Sequence, residues 1–156
     1  MSRSVARVKA ALEAAGVAAD VVTLEAETRT ADQAAAAVGV EVDRIAKSIL
    51  FEGRQSGELI LFLTAGGNRV DAAKAAICAG EPLGRAEAAR VRAVTGFAIG
   101  GVAPIGHLRR PRAVMDPRLM AFPTVWAAGG TPRTVFEIAP DTLCSIACAA
   151  LADFTP

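Results

Sequence analysis

Two stretches of the chain carry residue types suited to chemistry, and the first is a lysine on an oily strand. In Ile45-Ala46-Lys47-Ser48-Ile49-Leu50-Phe51, side chains alternate along a strand, so Ile45, Lys47, Ile49 and Phe51 share one face. The next run, Leu59-Ile60-Leu61-Phe62-Leu63, is apolar on both faces, the pattern of a strand covered on both sides. Its hairpin partner should be largely covered too, and Lys47 then points into a partly dry region or along its edge. An unpaired buried ammonium carries an effective penalty of several kcal/mol. A fold tolerates that only where the amine is paired, neutralised or open to a cleft. Two readings stay open: a functional amine, or a lysine that snorkels to a sheet edge or pairs with a carboxylate such as Asp116.

The second stretch is Gly100-Gly101-Val102-Ala103-Pro104-Ile105-Gly106-His107. Consecutive glycines permit positive φ and close approach of backbone to a ligand. Their N–H groups can then face an anion or a developing oxyanion, and Pro104 limits how far the loop moves. The spacing matches neither the phosphate-binding P-loop nor the dinucleotide fingerprint, and a tight turn between strands is the plain alternative. His107 is the single histidine and nothing marks a serine elbow, so a Ser-His-Asp arrangement is not indicated. With one histidine and no acidic partner at ligand spacing, a metal site is not expected, and no cofactor motif is present.

The elements that must position these residues follow from periodicity and punctuation. Val5, Val8 and Leu12 predict a helix over Ser4–Ala15, stopped by Gly16. Asp20–Glu25 reads as a short strand. Thr30–Val38 reads as a helix with Thr30 and Gln33 as a capping box and Gly39 at its end. Strands over Ile45–Glu52 and Glu58–Thr64 join across Gly53–Gly57 as a hairpin. Asp71 caps a helix to Ala79, and another helix spans Ala86–Val94. Phe97–Ile99 is a predicted short strand, Ala113–Asp116 is extended, and Asp116-Pro117 opens a helical turn. Thr124–Ala128 pairs with Thr134–Ile138, and Asp141 begins the last helix. Helices and hairpins mix without regular βαβ units or any linker, so residues 1–156 are read as a single α+β domain with a mixed sheet.

Composition narrows the class further. The chain has 156 residues, 53% of them apolar and 21% charged, which suits one folded core. No apolar run reaches the roughly 20 residues of a membrane span. Net charge is +1, so no global field argues for nucleic acid. The distribution is uneven: residues 1–60 hold seven basic and nine acidic side chains, residues 61–156 ten and seven. His107, Arg109, Arg110 and Arg112, with Arg118 shortly after, form the densest basic stretch. It is either a contact for a few phosphates or a solvated arginine-rich surface. Three cysteines, Cys78, Cys144 and Cys148, with no C-x-x-C and no signal peptide, fit a reduced cytoplasmic setting. Cys144 and Cys148, four apart on the expected helix, are read as buried thiols.

Taken in order, these landmarks resemble the YbaK/EbsC/prolyl-tRNA synthetase-associated (aminoacyl-tRNA editing) domain family. The matching stretches are Thr28-Arg29-Thr30-Ala31 before an Ala-rich helix, the lysine strand, Arg69-Val70-Asp71, and Val125-Trp126-Ala127-Ala128-Gly129-Gly130. The most specific is Thr95-Gly96-Phe97-Ala98-Ile99-Gly100-Gly101-Val102-Ala103-Pro104-Ile105-Gly106-His107. Ala103 stands where a serine is more usual. The resemblance implies a compact α+β fold around a strongly bent mixed sheet with flanking helices. It implies hydrolysis of the ester joining a wrong amino acid to a tRNA, with Ala- or Cys-tRNA(Pro) as the expected substrates.

By resemblance the essential lysine falls on Lys47, and the pocket loop on Gly100, Gly101, Pro104 and Gly106, closed by His107. Ser48 and Asp116 are weaker carry-overs. The expected partners are the tRNA 3′ acceptor end and, as a further candidate, prolyl-tRNA synthetase. Lys47 is then expected to hold the phosphate or ester end of the terminal adenosine. The Gly100 and Gly101 N–H groups are expected to face the carbonyl oxygen, and Phe97, Ile99, Val102 and Ile105 to size the pocket. The reading from another class is a non-catalytic module that binds a tRNA acceptor end or a synthetase, with Lys47 as an ion-pair residue.

Overall fold

Local signals form most of the elements where they are expected. In the structure, a computed structural model that describes residues 2–156, helix α1 (Arg3–Ala14) buries Val5, Val8 and Leu12, and Ser2 Oγ accepts its Val5 N–H. Helix α2 (Ala31–Val38) starts at Thr30, whose hydroxyl accepts from the Gln33 N–H. The Gln33 side chain reaches back to the Arg29 N–H rather than to that of Thr30. Asp71 caps α3 (Ala72–Ala79). Helix α4 covers Ala88–Thr95 and α5 covers Pro140–Ile146. The strands are β1 (Val22–Thr23), β2 (Ile45–Gly53), β3 (Leu59–Ala65), β4 (Leu83–Arg85), β5 (Arg112–Met115), β6 (Val125–Ala128), β7 (Thr134–Ile138) and β8 (Ala149–Leu151).

All eight join one bent mixed sheet in the order β1-β7-β6-β2-β3-β5-β8, with β4 also on β2. Strand β3 is buried along its whole length. Leu59, Leu61 and Leu63 enter a large core with Val8, Leu12, Phe97, Met115 and Phe136. Ile60 and Phe62 enter a second core with Ala75, Val114 and Phe154. The expectation of a strand covered on both faces therefore holds.

The register of β2 is the feature that shapes the molecule. One of its edges pairs antiparallel with β3 from Ala46 to Glu52. Its other edge is shared: β6 runs parallel beside Ile45 and Ala46, and β4 runs antiparallel beside Phe51, Glu52 and Gly53. Between them, residues 47–50 have no strand neighbour on that edge among the described residues. The sheet is split there, and the split opens at Lys47.

Three expectations are corrected. Phe97–Ile99 is not a strand but part of a loop. Gly96 and Gly100 bracket it with positive φ, Phe97 drops into the core and Ile99 is left exposed. The last helix ends at Ile146 and the chain turns into β8, which pairs with β5. Cys148 consequently lies outside the helix, exposed and with φ +52°, and does not share a buried face with Cys144. Asp20–Glu25 pairs only through Val22 and Thr23, at the outer edge of the sheet.

The loop after α4 is fastened from behind by α1. Arg7 donates to the Gly96 carbonyl at 2.6 Å and lies over the Phe97 ring. A Cβ at Gly106 would stand 3.0 Å from the Arg7 carbonyl oxygen, at φ +81°. The His107 Nε2–H donates to the Ala103 carbonyl at 2.8 Å, and the ring meets Phe97 edge-on. Burial lowers the His107 pKa from 6.5 to about 4; the Ala103 bond opposes the shift and the Arg110 and Arg7 guanidiniums add to it.

The turn after β3 is fastened from below by Asp116. Its buried carboxylate accepts the Ala65 N–H at 3.1 Å, the Asn68 side-chain N–H at 2.8 Å and the Arg118 N–H at 2.9 Å.

Two stability tests follow from these anchors. Asp116→Ala orphans three donors, each costing about 1–3 kcal/mol where it stays dry. Urea denaturation should show a loss of at least about 2 kcal/mol, and an unchanged midpoint would mean that water replaces the carboxylate freely. For His107, the unfolded chain binds more protons than the folded one between pH 6.5 and about 4, so stability rises with pH across that window. The contribution is complete above 6.5 and is lost toward 4, amounting to at most about 3 kcal/mol. His107→Gln should flatten this part of the urea-midpoint profile relative to the parent protein.

Candidate functional site

Lys47 stands at the split edge, on the seam between two apolar patches. On its own face Ile45 packs with Ala34 and Ala35 of α2, beside Trp126, while Ile49 and Phe51 pack with the α3 side. Neither patch supplies a carboxylate. The Lys47 ammonium donates instead to the Asn68 main-chain carbonyl at 2.7 Å, and it makes no ion pair among the described residues. An ammonium has three donors, so two remain free of protein acceptors. Desolvation by burial lowers the Lys47 pKa below the ordinary 10.5, with Arg69 next; Asp32, Asp43 and Asp116 oppose it. Asp116 thus acts at one remove: it grips the Asn68 side chain while the Asn68 carbonyl holds the amine. The Gly67 N–H donates to Asp43 at 2.8 Å, which pins the same turn from its other side.

A cavity of about 430 Å³ opens beside Lys47, within the range of small-molecule sites. Its floor is Ile45–Ile49 of β2. One wall is Thr28–Asp32 and Ala34 of α2 with its leading turn. The opposite wall is Gly100, Val102 and the Thr131–Pro132 turn, with Trp126 at the side. Thr28 donates its N–H to the Pro132 carbonyl at 2.8 Å, so the two walls are tied where they meet. A second hollow of about 400 Å³ continues along the unpaired edge and shares Ser48, Ile49, Gly100 and Val102 with the first. The Ser48 hydroxyl and the Trp126 indole N–H are shielded from solvent and have no protein partner.

The structure brings together only some of the residues singled out from sequence. Lys47, Ser48, Gly100 and Val102 line the cavity, and Ile99 lines its continuation. Phe97 is fully buried beneath the loop. Pro104, Ile105, Gly106 and His107 face a different hollow, of about 720 Å³, formed with α1 and the end of α5. Asp116 lies under the Asn68 turn. The two glycines do unlike things. Gly100 has φ +92° and open space where a Cβ would be, and its N–H has no acceptor among the described residues. The Gly101 N–H donates to the Ala98 carbonyl at 3.0 Å, so in this structure it is not a free oxyanion donor. A Cβ at Gly101 would lie 2.8 Å from the Thr131 Cα; its smallness lets the loop close onto the β6–β7 turn.

Asn68, Thr28, Trp126 and Thr131 were not marked as site residues by the sequence. For Asn68 a signal existed: Gly66-Gly67-Asn68 directly after a buried strand is a turn, and such a turn presents main-chain carbonyls to its neighbours. Thr28 and Trp126 lie in stretches that carried the family resemblance without being assigned to the site; Trp126 reaches the cavity on β6, and Thr28 and Thr131 reach it through the contact of the Thr28 segment with the β6–β7 turn.

The chain can do limited chemistry here. There is a held cation with spare donors, a Gly100 main-chain N–H without an acceptor in the same lining and a small partly apolar space, and among the described residues no histidine, cysteine or carboxylate lines up as a nucleophile–base pair.

Comparison with known proteins identifies the family. Residues 25–146 match the model of the aminoacyl-tRNA editing domain. The chain is 35% identical over 124 residues to the uncharacterized protein YwhH of Bacillus subtilis (strain 168), covering 80% of this chain and 78% of that one. A solved structure named "putative trans-editing enzyme for prolyl tRNA synthetase" is 47% identical, with a TM-score of 0.93 over 100% of this chain and 99% of that one. The hypothetical protein APE2540 is 27% identical, with a TM-score of 0.88 over 96% and 99%. The match over residues 25–146, together with the 35% identical relative, shows that the chain belongs to the aminoacyl-tRNA editing domain family.

Proposed function

We propose that the chain is a hydrolase that cleaves the ester between a wrong amino acid and the 3′-terminal adenosine of a tRNA, with alanyl- or cysteinyl-tRNA(Pro) as substrates. The observation that carries this reading is the Lys47 ammonium, held by one carbonyl, with its two other donors uncommitted at the mouth of a cavity. The family match and the name of the 47% identical structure support the choice of tRNA.

An aminoacyl ester is already activated, so positioning can supply much of the rate. In this proposal Lys47 grips the phosphate or ester end of the terminal nucleotide. A water, positioned by a group of the substrate itself, attacks the carbonyl carbon and gives up a proton that ends on the ribose oxygen. The oxygen that gains charge meets the Gly100 N–H. The C–O bond to the ribose breaks, the ribose hydroxyl leaves with a proton, and free amino acid and tRNA are the products. His107 has no part in this: its Nε2–H is committed to Ala103 and its ring faces the other hollow. The cavity suits a small side chain. Apolar contacts discriminate by only about 1–3 kcal/mol per methylene, which is the chemical reason for a second, editing site.

Two variants test the proposal. Lys47→Ala should lower deacylation of alanyl- and cysteinyl-tRNA(Pro) by about 10²–10³-fold or more, with an unchanged circular dichroism spectrum. Turnover at the parental rate would remove the lysine from the mechanism, and a parent protein that leaves every ester half-life unchanged would make the chain a binding module. Gly101→Val should lower both kcat/KM and the melting temperature, because its side chain meets the Thr131 backbone rather than open cavity. Parental values of both would mean that the loop and the β6–β7 turn part freely.

A further inference from the structure

The densest basic stretch of the chain lies outside the editing cavity. Arg90 of α4, with Arg109 and Arg110 ahead of β5 and Arg112 at its start, lines a hollow of about 380 Å³ that also includes Gly57 and Glu58. The four guanidiniums are not equivalent. Arg112 donates to the Cys78 and Ala79 carbonyls at the end of α3, at 2.6 and 2.8 Å. Arg90 donates to the Gly57 carbonyl at 2.6 Å and pairs with Glu52 at 3.1 Å. These two are fixed in place. Arg109 and Arg110 are exposed and make no ion pair among the described residues; the Arg110 guanidinium donates to the Cys148 sulfur at 2.8 Å. Pro111 stiffens the backbone between the loose pair and the fixed Arg112. Arg118, also part of the basic stretch in sequence, is withdrawn: it pairs with Asp43 at 3.0 Å and lies over Phe122.

We infer that this hollow is a second anchoring site, a grip for the phosphate backbone of RNA, with Arg109 and Arg110 as the contacting side chains. Four guanidiniums, set against the Glu58 carboxylate of the same hollow and the Glu52 that pairs with Arg90, leave an excess of positive charge in a chain of net charge +1, a local field that favours polyanions. Guanidinium forks match phosphate oxygens in pairs. The walls offer no exposed aromatic or large apolar anchor: Leu59 is buried and no aromatic lines the hollow. That is the surface expected for phosphate contacts, which position without reading sequence; a protein partner would call for buried aromatic anchors beside the arginines, and the hollow has none. Nine chain steps lead from Gly100 to Arg109, so chain length alone keeps these two residues within about 32 Å of each other. That is roughly ten nucleotide steps of a duplex at about 3.4 Å each. An RNA whose 3′ end enters the editing cavity is therefore long enough to lay its stem on the arginines. The inference rests on the editing reading for the identity of that RNA.

The test uses the full chain and its Arg109→Ala/Arg110→Ala variant. Filter binding of deacylated tRNA(Pro) is followed from about 50 to about 200 mM potassium chloride. At about 100 mM salt the variant should bind roughly tenfold more weakly, and its salt slope should shrink by about 1.8, the value for two lost phosphate contacts at about 0.9 each. Hydrolysis of a 3′-aminoacyl-adenosine, too short to reach the arginines, should match the parent. Equal affinity and slope in both proteins overturn the site, as does polyglutamate binding the parent more tightly than tRNA, which would assign the hollow to acidic protein. If the parent hydrolyses no aminoacyl ester yet binds tRNA through Arg109 and Arg110, the editing proposal fails and the RNA grip stands.

Discussion

An ammonium placed on a strand between two apolar patches has to find compensation for the water it loses. Here the compensation is a single main-chain carbonyl, that of Asn68. A carboxylate in its place would have satisfied the charge and closed the site, because a paired lysine has little left to offer a ligand. A carbonyl fixes the direction of the amine and leaves its positive charge and two donors available. Much of the surrounding architecture serves this one bond. Asp116 and Asp43 hold the turn that presents the carbonyl, and the split in the sheet lets the amine face outward.

The split follows from economy in pairing. Strand β2 shares one edge between two short neighbours of opposite direction, β6 at its start and β4 at its end. Four residues between them keep their β3 partners but have no ladder neighbour on this edge, and unpaired main-chain groups are costly when dry. A cleft filled by water or substrate meets that demand where a third strand does not exist. The exposed edge is also protected from pairing with another chain, since α2, the loop at Gly100–Val102 and the Thr131 turn stand around it. One arrangement thus produces both the cavity and the shield around an open strand edge.

The glycine-rich loop divides its residues between two tasks, and the division is physical. Gly100 takes a left-handed conformation with empty space before it. Gly101 is chosen for contact, allowing two backbones to meet, and Gly106 allows the same against α1. The part of the loop beyond Val102 turns its back on the cavity and is riveted through His107, Phe97 and Arg7 to the first helix. A wall built this way is rigid from behind, which suits a site that works by positioning.

Much of this was legible without coordinates of any kind. Hydrophobic spacing and caps placed α1, α2 and α3. Alternation placed Lys47 on one face with Ile45, Ile49 and Phe51, and the unbroken apolar run marked β3 as covered on both sides. These are short-range facts, governed by propensity, by hydrogen bonds spanning a few residues and by the periods of helix and strand. What the tertiary structure alone decided was which groups meet. It settled that Asn68 rather than Asp116 takes the amine, that Gly101 spends its N–H on Ala98, and that His107 looks into another hollow. Ending the last helix at Ile146 and sending Cys148 outward belong to the same class. Each of these outcomes depends on strand register and on packing between segments distant in sequence, where desolvation and the demand that buried polar groups be paired choose among conformations that local sequence leaves equally open.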